Sequence, residues 1–159
     1  MERESQLRQF LLREVGWFVD SASQIPGVVR IAMIGSLVTE KERPKDADLL
    51  VTINSGVDID SLAEAGRRLK GRGQSHGSGA DVFLCSPEGS YLGRTCSFRD
   101  CHPRVRCSGH QCHRGTRICD DFEIVSLDQA LIEAPPLDLW PTVLRRQTIP
   151  EDVERLVVR

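Results

Sequence analysis

The sequence predicts an α/β protein in which helices flank a mixed β-sheet. Stretches with apolar residues at helical spacing alternate along the chain with short β-branched runs, and no internal repeat divides it. Its 159 residues, 40% of them hydrophobic and 28% charged, are enough for one sizeable core and too few for two. We therefore expect a single domain over residues 1–159, with an insert over residues 87–119.

The first two elements follow from periodicity. Near the N-terminus, apolar residues recur at i, i+3 and i+4, which predicts a helix with one apolar stripe made by Leu7, Phe10, Leu11, Val15 and Phe18. The Ile-Pro-Gly sequence at 25–27 breaks this helix. The β-branched run 28–34 is short enough to be a buried strand, and Gly35-Ser36 ends it.

The middle of the chain predicts a strand, a helix and another strand. Apolar residues over 47–53 predict the second strand, and Asp58 or Asp60 can cap the helix that follows it. Four glycines over 71–79 predict a flexible loop, because glycine leaves the backbone unrestricted. The run 80–85 predicts the third strand.

The C-terminal part predicts a strand over 121–126, a short helix over 127–133 and a terminal helix opened by Pro150. Between the two helices, 137–144 is an amphipathic segment. Together the elements follow the order α-β-β-α-β-(insert)-β-α, which is typical of an α/β sandwich with a mixed sheet.

Composition and charge exclude several classes of protein. The formal net charge is −2, so the chain as a whole is not marked as a binder of nucleic acid or anionic membranes. No apolar run approaches the roughly 20 residues of a membrane span, and the N-terminus lacks the apolar core of a secretory signal. We expect a cytoplasmic protein with reduced thiols and no membrane partner.

Acidic residues at the starts of two predicted strands indicate a metal site. Asp46 and Asp48 are two apart in a strand, so their carboxylates point to the same face. Adjacent carboxylates repel each other, and a hard divalent cation such as Mg²⁺ relieves that repulsion. Asp81 begins the third strand and joins them if the two strands are neighbours. Upstream, Gly35-Ser36 offers a close backbone approach and an amide for a phosphate.

This arrangement of motifs is similar to a known signature. Gly35-Ser36, then nine residues, then Asp46-Ala47-Asp48 between two strands resembles the nucleotidyltransferase superfamily, which includes DNA polymerase beta and the minimal nucleotidyltransferases. Asp81 matches the third acidic residue of that family, on a later strand. The resemblance covers roughly residues 25 to 86.

The resemblance implies a nucleotidyltransferase-like fold and transfer of a nucleoside monophosphate from an NTP to an unknown acceptor, which could be a small molecule, a protein or a nucleic acid. Gly35 and Ser36 would then hold the triphosphate. Asp46 and Asp48 would bind Mg²⁺ or Mn²⁺, and Asp81 would be the third ligand and a base. Two metal ions held in this way activate an attacking hydroxyl and steady the leaving pyrophosphate.

Two departures from the family pattern favour an alternative. Many members carry a small residue, Arg and Gly after the Gly-Ser pair, whereas this chain has Leu37-Val38-Thr39-Glu40, and no helical partner domain is evident. The alternative is a catalytically inactive nucleotidyltransferase-like protein, stabilised by zinc, that binds a protein partner or nucleic acid.

The insert predicts a structural zinc site. All six cysteines lie between Cys85 and Cys119, and the insert has too few apolar residues to order itself by hydrophobic burial. Zn²⁺ takes four thiolate or imidazole ligands in a tetrahedron. The favoured ligands, separated by four, five and four residues, are Cys96, Cys101, Cys107 and Cys112.

Other interpretations of the insert remain open. One of His102, His110 and His113 could replace a cysteine as zinc ligand, and Cys85 and Cys119 are interpreted as plain buried or edge thiols. A zinc deaminase is disfavoured because the chain lacks a His-x-Glu motif paired with Cys-x-x-Cys. Six arginines make the insert locally basic, so a nucleic-acid-binding zinc protein is a third hypothesis.

Overall fold

The computed structural model describes residues 2–40, 46–96, 117–119 and 127–158. In chain order, its elements are helix α1 (Glu2–Ala22), strand β1 (Val28–Ile34), a 3₁₀ turn (Ser36–Val38), β2 (Asp46–Ile53), α2 (Ile59–Gln74), β3 (Gly79–Cys85), β4 (Tyr91–Thr95), β5 (Ile118–Cys119), α3 (Gln129–Glu133), β6 (Leu137–Trp140), β7 (Leu144–Arg145) and α4 (Glu151–Leu156). The predicted α/β class with a mixed sheet is confirmed.

The described strands form one seven-stranded sheet in the order β5-β4-β3-β2-β1-β6-β7. β2 and β3 are parallel, and the helix α2 connects them. The other neighbouring pairs are antiparallel. In the parallel pair, Asp48 is level with Asp81. This register decides which side chains of the two strands meet.

The two faces of the sheet have different partners. One face, called here the helical face, packs its alternate strand residues against α1, α2 and α4 in the main core, as Leu49, Val51 and Val82 show. The other face, called here the opposite face, carries a smaller apolar cluster in which Leu50 and Phe83 pack with Ile132 of α3. Because side chains alternate along a strand, neighbouring residues of β2 belong to different faces.

Helix α2 is longer than the sequence predicted. Asp58, one of the two candidate caps, is its N-cap and accepts a hydrogen bond from the Ser61 amide at 3.2 Å. The helix continues to Gln74, so the predicted loop over 71–79 was wrong for its first half. Gly73 explains the difference: a Cβ there would lie 3.2 Å from the Ser78 carbonyl oxygen, so the glycine permits close packing inside a helix.

Four strands were absent from the prediction: β4, β5, β6 and β7. They are two to five residues long, too short for a periodic pattern, and each is an antiparallel partner of a neighbouring strand. The predicted short helix and terminal helix are present as α3 and α4. The strand predicted over 121–126 lies outside the described residues. Among those residues, none of the helices has the length and apolar character required to span a bilayer.

Candidate metal centre

The structure brings the three predicted carboxylates together on the opposite face. One oxygen from each of Asp46, Asp48 and Asp81 lies within 4.8 Å of the others, and all three side chains are partly buried. Asp46 and Asp48 are two apart on β2, and Asp81 comes from β3, the adjacent parallel strand. Three residues from two separate stretches of sequence therefore converge near the N-terminal ends of β2 and β3.

Glycine at the start of β3 makes room for the cluster. The Gly79 amide donates a hydrogen bond to Asp46 Oδ1 at 3.1 Å, which orients that carboxylate. A Cβ on Gly79 would collide with the same carboxylate group. The glycine that sequence analysis placed in a flexible loop thus has a fixed place beside Asp46.

The Gly35-Ser36 bend lies against the second carboxylate. Gly35 has φ 78° and ψ −166°, a conformation that side chains with a Cβ rarely adopt, and a Cβ there would lie 2.6 Å from Asp48 Oδ2. After it comes a single 3₁₀ turn in which Leu37 and Val38 are buried and the Thr39 amide bonds to the Ser36 carbonyl oxygen. The bend is therefore adjacent to the cluster, and the helical segment that follows it is a single 3₁₀ turn.

Burial and mutual repulsion set the charge state of the cluster. The pKa of Asp48 is raised from 3.8 to about 7, chiefly because the carboxyl group is removed from water and then because Asp81 and Asp46 repel its negative charge. The positive charge of Arg94 acts in the opposite direction on this pKa. Near neutral pH Asp48 is therefore only partly ionised, and binding of a divalent cation would favour its ionised form.

Arg94 is a site residue that sequence analysis did not place in the cluster. It lies on β4 opposite Phe83, and its Nη1 donates to Asp81 Oδ1 at 2.9 Å. The sequence carries one signal that could have found it: the Pro-Glu-Gly-Ser run at 87–90, which is typical of a turn between paired strands. An antiparallel hairpin from β3 returns Arg94 to the level of Phe83, two residues along β3 from Asp81.

The predicted zinc ligands are described only in part. Cys96 follows β4 and is buried, and its amide donates to the Arg117 carbonyl oxygen at 2.7 Å. Cys101, Cys107 and Cys112 lie outside the described residues, as do His102, His110 and His113. The zinc site stays a prediction.

Three other described residues, Cys85, His76 and Cys119, are not members of the carboxylate cluster. Cys85 is buried, with its sulfur 3.2 Å from the Thr52 hydroxyl, and burial raises the pKa of its thiol. His76 stacks on Phe10 of α1 with ring centroids 3.9 Å apart. Cys119 lies half-buried on the edge strand β5.

The donor set fits a hard divalent cation. Carboxylate oxygens are the ligands that Mg²⁺ and Mn²⁺ prefer, and Mg²⁺ commonly takes a few of them together with water and substrate phosphates. Gly35 and Gly79 keep the space beside two of the carboxylates clear, since a Cβ at either position would reach into it. The arrangement can therefore bind a cation and leave an approach for an anionic ligand.

Comparison with known proteins adds no relative to this description. No family model, no curated protein and no solved structure matches the chain. A functional assignment accordingly depends on the geometry of the cluster and on the sequence motif.

Proposed function

We propose that this protein is a nucleotidyltransferase that transfers a nucleoside monophosphate from an NTP to an acceptor, with Mg²⁺ or Mn²⁺ held by Asp46, Asp48 and Asp81. The observation that carries the proposal is the meeting of these three carboxylates within 4.8 Å, directly beside the Gly35 bend. A lone acidic pair at a strand start is common, whereas here a third carboxylate from another strand and a glycine with positive φ lie beside the pair.

In this proposal the carboxylates and the bend have different roles. The carboxylates bind the cation, and the bend at Gly35-Ser36 binds phosphate through its backbone, because the lack of a Cβ permits close approach. A divalent cation supplies charge neutralisation for the phosphates and activation of an attacking hydroxyl. Asp48, which is only partly ionised near neutral pH, loses its remaining proton when the cation binds.

The experiment is nucleotide binding measured with and without Mg²⁺. Wild-type protein is expected to bind NTP in a Mg²⁺-dependent manner, and the double variant Asp46→Asn, Asp48→Asn should lose that dependence while keeping its circular dichroism spectrum. Glu88→Gln is the matched control, because Glu88 is an exposed carboxylate in the turn after β3. Equal Mg²⁺ dependence in the double variant and the control would refute the metal site.

A second candidate is favoured by one specific contact. Arg94 neutralises part of the negative charge of the cluster through its ion pair with Asp81. A catalytically inactive, zinc-stabilised binding module would retain this ion pair for a structural reason. Such a module, which binds a protein partner or nucleic acid, would give no heat when Mg²⁺ is titrated into it. Strongly salt-dependent binding to DNA or RNA would identify nucleic acid as its partner.

A further inference from the structure

The path of β4 brings a positive charge to the carboxylate cluster. β4 pairs antiparallel with β3, and Arg94 lies opposite Phe83. Phe83 is two residues from Asp81 along β3, so Arg94 is on the same face of the sheet as Asp81. Its Nη1 lies 2.9 Å from Asp81 Oδ1, and the two side chains are 28% and 24% exposed. The ion pair is therefore partly buried, yet water and ligands can reach both partners.

The charges of the described side chains at this site do not balance. Among them, three carboxylates face one guanidinium, which leaves an excess of negative charge whenever the carboxylates are ionised. Arg94 is thus the counter-ion of Asp81, one of the three carboxylates of the cluster.

A guanidinium and a divalent cation compete for the same oxygens. Both are positive, and each raises the free energy of the other when the two are a few ångströms apart. An arginine released from a carboxylate retains a planar fork of donors that matches phosphate oxygens. In the proposed function, substrate phosphates share the cation that the carboxylates hold, and the side chain of Arg94 is 28% exposed beside Asp81.

We propose that Arg94 is an exchangeable counter-ion: it holds Asp81 until a divalent cation binds there, and then it contacts the phosphates of the incoming triphosphate. This inference rests on the proposed nucleotidyltransferase function and adds a residue that couples cation binding to substrate binding. In this scheme Arg94 weakens cation binding and strengthens anion binding.

The test is calorimetric titration of Mg²⁺ into wild-type protein, Arg94→Gln and Arg94→Lys. Arg94→Gln should bind Mg²⁺ roughly tenfold more tightly, because a unit positive charge close to the cation has been removed. In excess Mg²⁺, the same variant should bind inorganic tripolyphosphate roughly tenfold more weakly. Arg94→Lys keeps the charge and should bind Mg²⁺ like the wild type.

Arg30→Gln is the matched control. Arg30 is also an arginine of the opposite face in an ion pair, with Asp138, and its side chain is 29% exposed. It is level with Thr52, four residues along β2 from Asp48, and Asp138 stays bonded to Arg146 when Arg30 is replaced. Its Mg²⁺ and tripolyphosphate affinities should equal those of the wild type.

The outcomes separate this inference from the function on which it rests. Wild-type protein that binds no Mg²⁺ would overturn both. Mg²⁺ binding that requires Asp46 and Asp48 but is unchanged or weakened in Arg94→Gln would overturn only the role of Arg94. If Arg94→Gln does not fold, NMR of the Arg94 guanidinium group provides the test, and its signal is assigned by its absence from the spectrum of Arg94→Lys. In the wild type this signal should shift as Mg²⁺ is added. A signal that does not move refutes the exchange.

Discussion

Replacing Asp48 by Asn should stabilise the protein at alkaline pH. The pKa of Asp48 lies about three units above its ordinary value in the folded state, and each unit corresponds to about 1.4 kcal/mol. The full penalty for an ionised Asp48 is thus on the order of 4 kcal/mol. Since the side chain is partly exposed, screening by water reduces it, and we expect Asp48→Asn to raise the free energy of unfolding by about 2 kcal/mol at pH 8.

The sign follows from proton binding. The folded protein binds the Asp48 proton more tightly than the unfolded chain does, so this group contributes full stability below about pH 4 and loses its contribution as the pH rises to about 7. Urea denaturation from pH 5 to pH 8 measures the loss. The wild type should lose more stability over this range than Asp48→Asn, and the two should converge at low pH. Parallel pH profiles for the two proteins would refute the reasoning.

Two further predictions concern the bend and the insert. Gly35→Ala should destabilise the fold by about 1–3 kcal/mol and weaken Mg²⁺ binding, because the residue has a positive φ and its Cβ would lie 2.6 Å from Asp48 Oδ2. Gly77→Ala is the control. Gly77 also has a positive φ, but nothing lies within 4 Å of the Cβ that the substitution adds. Equal Mg²⁺ affinity in the two variants would show that the bend does not support the cluster. Purified protein should contain about one zinc ion per chain by elemental analysis, and Cys107→Ser should lose it, whereas Cys85→Ser should retain it. Full zinc content in Cys107→Ser would show that the choice of ligands is wrong.

Local pattern was sufficient for the longer elements. The stripe from Leu7 to Phe18 predicts α1 because an amphipathic helix repeats its apolar residues every three or four positions. The β-branched run 28–34 coincides with β1, and apolar residues over 47–53 with β2. The sequence also predicted Asp58 as a candidate helix cap and Pro150 at the start of α4, because both residues act on backbone groups within one turn.

Short strands could not be predicted in the same way. β4 has five residues and β7 two, and each is held by hydrogen bonds to a strand elsewhere in the chain. Residues 71–74 are helical despite two glycines, and at one of them, Gly73, the missing side chain permits close packing against Ser78. For the short strands, long-range pairing outweighs the local preference of the residues.

The sequence by itself determined that Asp46 and Asp48 share a face, since a strand turns every second side chain to the same side. Only the tertiary structure decided that Asp81 joins them, because this depends on the parallel pairing of β2 with β3 and on its register. The same is true of Arg94, which a hairpin places beside Asp81. Periodicity is a property of neighbouring residues, whereas a cluster of charges depends on which strands pair.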